Sequence, residues 1–197
     1  EAKLPTYLDD HAFLAAACLS LYQATGEGRW LMEAKGLAEL MAGHFWDIDG
    51  GAFFFTADDH ETLIARTKHP GDNARPSGNG VAAMALLRRA ALTGEKRWRE
   101  RGEGTLKAFS GLTAQQPRGF AEMLCALDVA TVEPLEIVVT GTQSTRRALL
   151  AELRKRFLPN AVILPFDPEA RTAAGMAQAV PMLQGKTLAG GKSAAYV

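Results

Sequence analysis

The chain has 197 residues, 47% hydrophobic and 22% charged, which suits one ordinary domain, or one domain with a small appendage, and supplies enough apolar matter for a core. Lysine plus arginine and aspartate plus glutamate both count 22, so the formal net charge is zero. That balance removes the basic footprint of a nucleic-acid binder and the polybasic patch of a membrane-surface protein. No apolar run approaches the roughly 20 residues of a membrane span. The start Glu1-Ala2-Lys3-Leu4-Pro5 has neither an apolar leader core nor an initiator methionine, which reads as a cytoplasmic chain or a piece of a longer one.

Leu8 to Ala24 carries Phe13, Leu14, Ala17 and Leu21 at helical spacing, with Asp9 or Asp10 where an N-cap belongs. Arg29 to Trp46 is a second helix with Leu31, Ala34, Leu37, Ala38, Met41 and Phe45 on one face. The linker Thr25-Gly26-Glu27-Gly28 is short enough to force an antiparallel hairpin. Its surroundings recur: Thr25-Gly26-Glu27-Gly28-Arg29-Trp30 returns as Thr93-Gly94-Glu95-Lys96-Arg97-Trp98, again between helical stretches, Gly80 to Leu92 and Arg97 to Leu112. A repeat of this kind means one supersecondary unit used twice. In each copy the first helix is the more apolar and the second the more amphipathic, which predicts an inner and an outer layer. Aligned on their turns, His11 matches Asn79. Gly119 to Ala130 reads as a further inner helix.

Between the hairpins, Asp47-Ile48-Asp49-Gly50-Gly51 predicts a tight turn and Ala52 to Thr56 a short aromatic strand. Ala57 to Pro76 is a polar loop, a place where function tends to sit. After Val132-Glu133-Pro134 the period changes. Glu136 to Gly141 predicts a strand, Ser144 to Phe157 a helix capped by Ser144 or Thr145, and Ala161 to Pro165 a strand parallel to the first. A weak helix and a Gly/Ala-rich coil follow, with Ala194 to Val197 as a further strand. Cys18 and Cys125 lie far apart in apolar helices without a CxxC spacing and read as small buried apolar residues. His44, His60 and His69 show no metal-ligand spacing. Gly185-Lys186-Thr187 lacks the rest of a phosphate loop.

The runs Leu8-Asp9-Asp10-His11-Ala12-Phe13, Phe45-Trp46-Asp47 with Gly50-Gly51-Ala52-Phe53-Phe54-Phe55-Thr56, Pro76-Ser77-Gly78-Asn79 and Arg156-Phe157-Leu158-Pro159-Asn160 come in the order of the YyaL/spermatogenesis-associated thioredoxin-like protein family, which the chain resembles over nearly its whole length. The resemblance implies an N-terminal thioredoxin-like domain followed by an (α/α)6 toroid similar to N-acylglucosamine 2-epimerases and six-hairpin glycosidases. This chain would be the C-terminal part of that toroid. The expected fold class is mainly α: αα-hairpin repeats over 1–132, with a small βαβ appendage over 133–197. The chain departs from the family pattern at His11, where tyrosine is common, and it contains neither the thioredoxin-like domain nor about half of the hairpins.

In such toroids the pocket opens where inner helices begin. Asp10 and Asp72 are the candidate acid–base carboxylates, with His11 as proton carrier. Asp9, Ser77 and Asn79 are candidate substrate contacts, although Asp9 and Ser77 also read as helix caps. Trp46 and Tyr7 are the aromatic faces for a sugar ring. Arg66 and Lys68, in the polar loop with Asp72, read either as solvated charges or as an anion-binding cluster at the pocket mouth. The implied function is carbohydrate-related, by epimerase- or glycosidase-like chemistry. The alternative is a non-catalytic ligand- or protein-binding module serving the attached thioredoxin-like domain. No metal and no cofactor are expected. The expected partners are a small carbohydrate-like ligand, the remainder of the toroid and the thioredoxin-like domain. Uncovered inner-helix faces would favour self-association of the fragment.

Overall fold

Helix α1 (Leu8–Thr25) places Leu8, Ala12, Ala15, Cys18, Leu19 and Tyr22 on one buried face. A computed structural model describes this helix within residues 6–61 and 64–197. Residues 1–5, on which the expectation about the start rests, and positions 62–63 of the polar loop lie outside the described residues. The N-cap of α1 is Tyr7 rather than either aspartate. Asp10 instead reaches back from the third helical position, its carboxylate accepting the Tyr7 N–H at 2.9 Å, which is the acidic half of a capping box.

The recurring hexapeptide is an αα-turn built twice from the same bonds. Gly26 and Gly94 take the left-handed conformation at φ +76° and +70°, and each donates its N–H back to the preceding helix, to Tyr22 O and Ala90 O. The Thr25 hydroxyl donates to Leu21 O at 2.7 Å and the Thr93 hydroxyl to Arg89 O at 2.9 Å. The same hydroxyls accept the N–H groups of Glu27 and Glu95. Arg29 lies 4.4 Å over the Trp30 ring and Arg97 4.4 Å over that of Trp98. Threonine, glycine, arginine and tryptophan are therefore each called for by one local contact, and the second copy repeats them at the same offsets.

The returning helices are α2 (Gly28–His44) and α4 (Lys96–Gln115). Helix α3 (Gly78–Thr93) is buried at 13 of its 16 positions because α1, α4 and α5 (Ala121–Thr131) all pack on it. Thus α1, α3 and α5 form one layer, and α2 and α4 back it, joined to each other by the Arg97–Glu39 ion pair at 2.6 Å. The layer order expected from composition is present, but only α3 is buried nearly all round; α1 and α5 are buried at 7 of 18 and 2 of 11 positions and leave Leu14, Leu21, Leu124 and Leu127 exposed. Ser77 caps α3, its hydroxyl accepting the Gly80 N–H at 3.0 Å.

Residues 52–56 do not form the expected strand; only a single bridge, Trp46 to Phe53, is present. The physical reason is competition for the backbone. Both polar groups of Phe53 are taken by the Asn79 side chain, Ala52 sits at φ +64°, and the Phe55 N–H turns to Thr67 O.

Strands β1 (Leu135–Thr140) and β2 (Ala161–Phe166) pair in parallel, from Leu135 opposite Ala161 to Thr140 opposite Phe166. A short β3 (Ala195–Tyr196) runs antiparallel on the other side of β1, giving the order β2-β1-β3. Pro165 is tolerated because β2 is an edge. The connecting helix α6 (Arg147–Arg154) is shorter than predicted. Residues 142–146 form a turn in which the Thr142 hydroxyl, not Ser144 or Thr145, accepts a backbone N–H, at 3.4 Å. Helix α7 (Ala173–Ala179) precedes β3. One apolar cluster runs from α1 and α2 through Val138, Val162, Leu164 and Phe166 to Val180 and Leu183, so the strands share the core of the first hairpin. The architecture is mainly α, helical hairpins with a small three-stranded appendage. Among the described residues no helix is long and apolar enough to cross a membrane.

Candidate functional site

The first turns of α1, α3 and α5 lie together. A Cβ on Gly78 would fall 2.1 Å from Asp9 Oδ1, and one on Gly80 would fall 2.9 Å from Glu122 Cγ. Glycine at these two positions lets the starts of three helices approach. Each helix carries a polar residue at its second position: Asp9, Asn79 and Glu122. The match by helix start is therefore Asp9 with Asn79. The turn-based alignment of His11 with Asn79 shifts because α1 has 18 residues and α3 has 16.

Asp72 ties the starts of α3 and α5 to each other. Its Oδ1 accepts the Ser77 N–H and its Oδ2 the Glu122 N–H, both at 2.9 Å, while its own N–H bonds Gly119 O. A carboxylate suits two such helix starts, where unpaired N–H groups carry partial positive charge. Asp9 is buried and pairs with Arg75 at 2.7 Å. Asn79, with no exposed surface, holds Phe53 by both backbone groups, at 2.9 and 3.0 Å, and donates to His69 O at 3.4 Å.

Asp10 is exposed beside the half-buried His11. The His11 ring bonds the Thr6 hydroxyl at 2.8 Å and lies 5.3 Å from the Phe45 ring. Burial holds its pKa below the usual histidine range, against the upward pull of Asp10 and with a small further push from His44. Burial thus favours the neutral imidazole.

The polar-loop cations do not gather on Asp72. Arg66 donates to Thr56 O and to His44 O at 2.9 Å and lies 4.3 Å over Phe54. Lys68 donates to Asp47 at 2.6 Å and to Gly51 O. Both pin the loop to the end of α2 and to its own turn. Trp46 meets Phe53 edge-on at 4.9 Å, and its ring lies 3.3 Å from where a Cβ on Gly104 would stand. Five clefts of about 250 to 940 Å³ open elsewhere on the protein, and none is lined by these nine predicted residues.

Two features escaped sequence reasoning. Burial, together with the neighbouring Asp72 carboxylate, pushes the Glu122 carboxyl above the ordinary glutamate range, against the pull of Arg88. The polar second position of each inner helix was the signal that could have found it. Tyr7, Phe55 and His69 form a stack with ring centroids 4.7 and 4.5 Å apart, and His60 meets Tyr7 edge-on at 5.7 Å. Tyr7 is 41% exposed at the start of α1. Nothing local in the sequence announces contacts between residues 7, 55 and 69. Elsewhere, His44, Asp58 and Asp59 bring three potential metal-ligand atoms within 4.8 Å of one another. His44 and Asp58 already satisfy each other at 2.8 Å.

Fold and site together define a layered helical-hairpin protein whose inner helices open side by side onto a polar and aromatic surface. No family model matches the chain. It is 35% identical over 164 residues to spermatogenesis-associated protein 20 of Rattus norvegicus, and 34% identical over the same length to the proteins of that name from Homo sapiens and Mus musculus. Each match covers 82% of this chain and 21% of the relative. The chain is homologous to spermatogenesis-associated protein 20 and spans about a fifth of its length.

Proposed function

We propose that the chain is a carboxyl-side part of a protein of the YyaL/spermatogenesis-associated thioredoxin-like family. In this reading 1–132 forms part of an (α/α)6 toroid and 133–197 a small α/β appendage packed on it, and the starts of α1, α3 and α5 receive a carbohydrate-type ligand on behalf of an attached thioredoxin-like domain. The homology and the two-layer order of the hairpins support the architecture. The observation that carries the site is convergence: three helix starts meet beside the Tyr7–Phe55–His69 stack. Aromatic faces accept the apolar face of a pyranose ring, while Asp10 and His11 alongside can bond its hydroxyls.

Recognition is favoured over paired-acid cleavage, because Asp72 is engaged by two backbone N–H groups and Asp9 by Arg75. One observation favours the second reading, acid–base turnover: the Glu122 carboxyl, pushed up by burial and by the neighbouring Asp72, stands beside that second carboxyl group, as in a paired-acid site. The test is a panel of neutral mono- and oligosaccharides in thermal shift on the full-length protein. Recognition predicts a saturable shift that Asp10→Asn and Tyr7→Ala each reduce at least tenfold in affinity, with no sugar converted. Turnover abolished by Glu122→Gln would establish the enzyme instead. Failure of every sugar to shift the melt would remove the carbohydrate reading.

A further inference from the structure

A cleft of about 940 Å³, the largest of the five above, lies at the other end of the fold, between the carboxyl ends of β1 and β2 and the α1–α2 turn. Ligands of open α/β sheets bind outside the carboxyl ends of parallel strands, because the loops there leave backbone and side chains unpaired. Here three arginines line the space: Arg146, Arg147 and Arg154. Arg146 is only 9% exposed. It donates to Gly141 O at 2.8 Å and Thr25 O at 3.3 Å, which fixes the guanidinium plane and leaves three of its five N–H groups for the cleft. Arg147 and Arg154 stand seven residues apart on α6, about 10 Å along one helix face. Arg154 is steadied by Ala24 O at 3.3 Å.

Among the described residues none of these three arginines has an ion-pair partner within 4.0 Å. The two acids on the cleft are Glu27, already paired with Arg29 at 2.7 Å, and Asp167 at the end of β2. Asp167 pulls on the Arg146 charge only from beyond ion-pair distance, and a buried cation with no carboxylate in contact leaves room for an anion to complete it. Guanidinium groups match the paired oxygens of a phosphoryl group, and the Ser144 and Thr142 hydroxyls on the same wall add donors. The cleft is far larger than an inorganic anion, and Leu150, Phe166 and Met176 supply apolar wall for an organic part. Asp167, just beyond the second parallel strand, stands where an acid accepts sugar hydroxyls in nucleotide-binding sheets.

We propose that this cleft binds a phosphorylated sugar, with the phosphoryl group held by Arg146, Arg147 and the Thr142–Ser144 turn and the sugar hydroxyls accepted by Asp167. A free sugar phosphate and a nucleotide share this chemistry. Calorimetric titration of the full-length protein at constant ionic strength, with ribose 5-phosphate, adenosine 5′-monophosphate and inorganic phosphate, separates them. Ribose 5-phosphate binds saturably, and the exposed Arg147→Gln variant binds it at least tenfold more weakly without any change in its ligand-free melt. Arg146→Lys weakens it by a similar factor. Asp167→Asn weakens ribose 5-phosphate several-fold more than inorganic phosphate. Tighter binding of the nucleotide than of ribose 5-phosphate identifies a nucleotide site, and the reverse a free sugar phosphate. The proposal is overturned if none of the three probes saturates, or if Arg147→Gln binds as the parent does. Either failure leaves the reading at Asp10 and Tyr7 untouched, since that rests on different residues and neutral sugars.

Discussion

The turns at Thr25–Trp30 and Thr93–Trp98 share five of six letters, their caps and their left-handed glycines, yet they do different work. In the second, Trp98 has no exposed surface and Arg89 only 2%. Glu95 accepts from Arg89 at 2.7 Å, from Arg97 at 3.0 Å and from the Trp98 indole at 3.1 Å, so the motif becomes a half-buried polar knot that ties the buried Arg89 and Trp98 to the surface. In the first, Trp30 is half-buried, and the Glu27–Arg29 pair sits in solvent, 50% and 67% exposed. This turn instead faces the appendage: Pro165 O lies against Gly26, and Met176 lies against Gly28. One local motif serves as core in one copy and as the lip of a cleft in the other. Local bonds define the turn, and its neighbours define its role.

The comparison breaks most visibly at the tryptophans. Trp98→Ala should cost about 3–5 kcal/mol of stability in urea unfolding, through the cavity it leaves in a packed core, and Trp30→Ala less than half of that; equal losses would deny the difference in burial. Next come the glycines. Gly26→Ala should cost about 3 kcal/mol, combining a left-handed alanine with a Cβ 2.3 Å from Pro165 O. Gly94→Ala, whose Cβ meets only Pro181 at 3.9 Å, should lose roughly 1 kcal/mol.

Glu95→Gln should cost roughly 2 kcal/mol at pH 7, because Arg89 loses its counter-charge inside the fold, while Glu27→Gln at the exposed pair should change stability by less than about 0.5 kcal/mol. That loss carries a pH signature. Burial would raise the Glu95 carboxyl, but Arg89 and Arg97 prevail and hold it below the ordinary glutamate value. A depressed folded pKa contributes stability that is present above the unfolded pKa of about 4.3 and is lost as pH falls through the folded value. The gap between parent and Glu95→Gln should therefore narrow on acidification across that window. A gap of constant size from pH 7 to pH 3 would refute the ion-pair account.

The smallest effect is at Glu122, whose folded pKa is raised. Its protonated form stabilises below the unfolded value, and that contribution disappears as pH rises through the folded one. Glu122→Gln should melt like the parent at pH 4 and slightly higher than the parent at pH 7.

Much of the fold was legible because it rests on local signals. Helical spacing marked α1 to α5, the Thr-Gly dipeptides marked both turns, Ser77 was recognisable as a cap, and the β-branched runs marked β1 and β2. Residues 52–56 misled because three phenylalanines in a row look like a strand, whereas a side chain 26 positions away takes the backbone of Phe53. At the candidate site, residue types were legible but their employment was not. Asp72 looked available for chemistry, yet it is bound to a helix start 50 residues further on. Arg66 and Lys68 looked like a cluster and are instead loop pins.

What the sequence determined by itself is the set of hairpins, their Thr-Gly turns, the Ser77 cap and which helix of each pair is the greasier. Those follow from periodicity and from bonds between residues no more than a few positions apart. Only the tertiary structure decided which acids are engaged, which tryptophan is core, and that three unpaired arginines share a cleft at the ends of β1 and β2. Each of these is a contact between segments distant along the chain, where desolvation and hydrogen-bond partners exist only once the layers have packed.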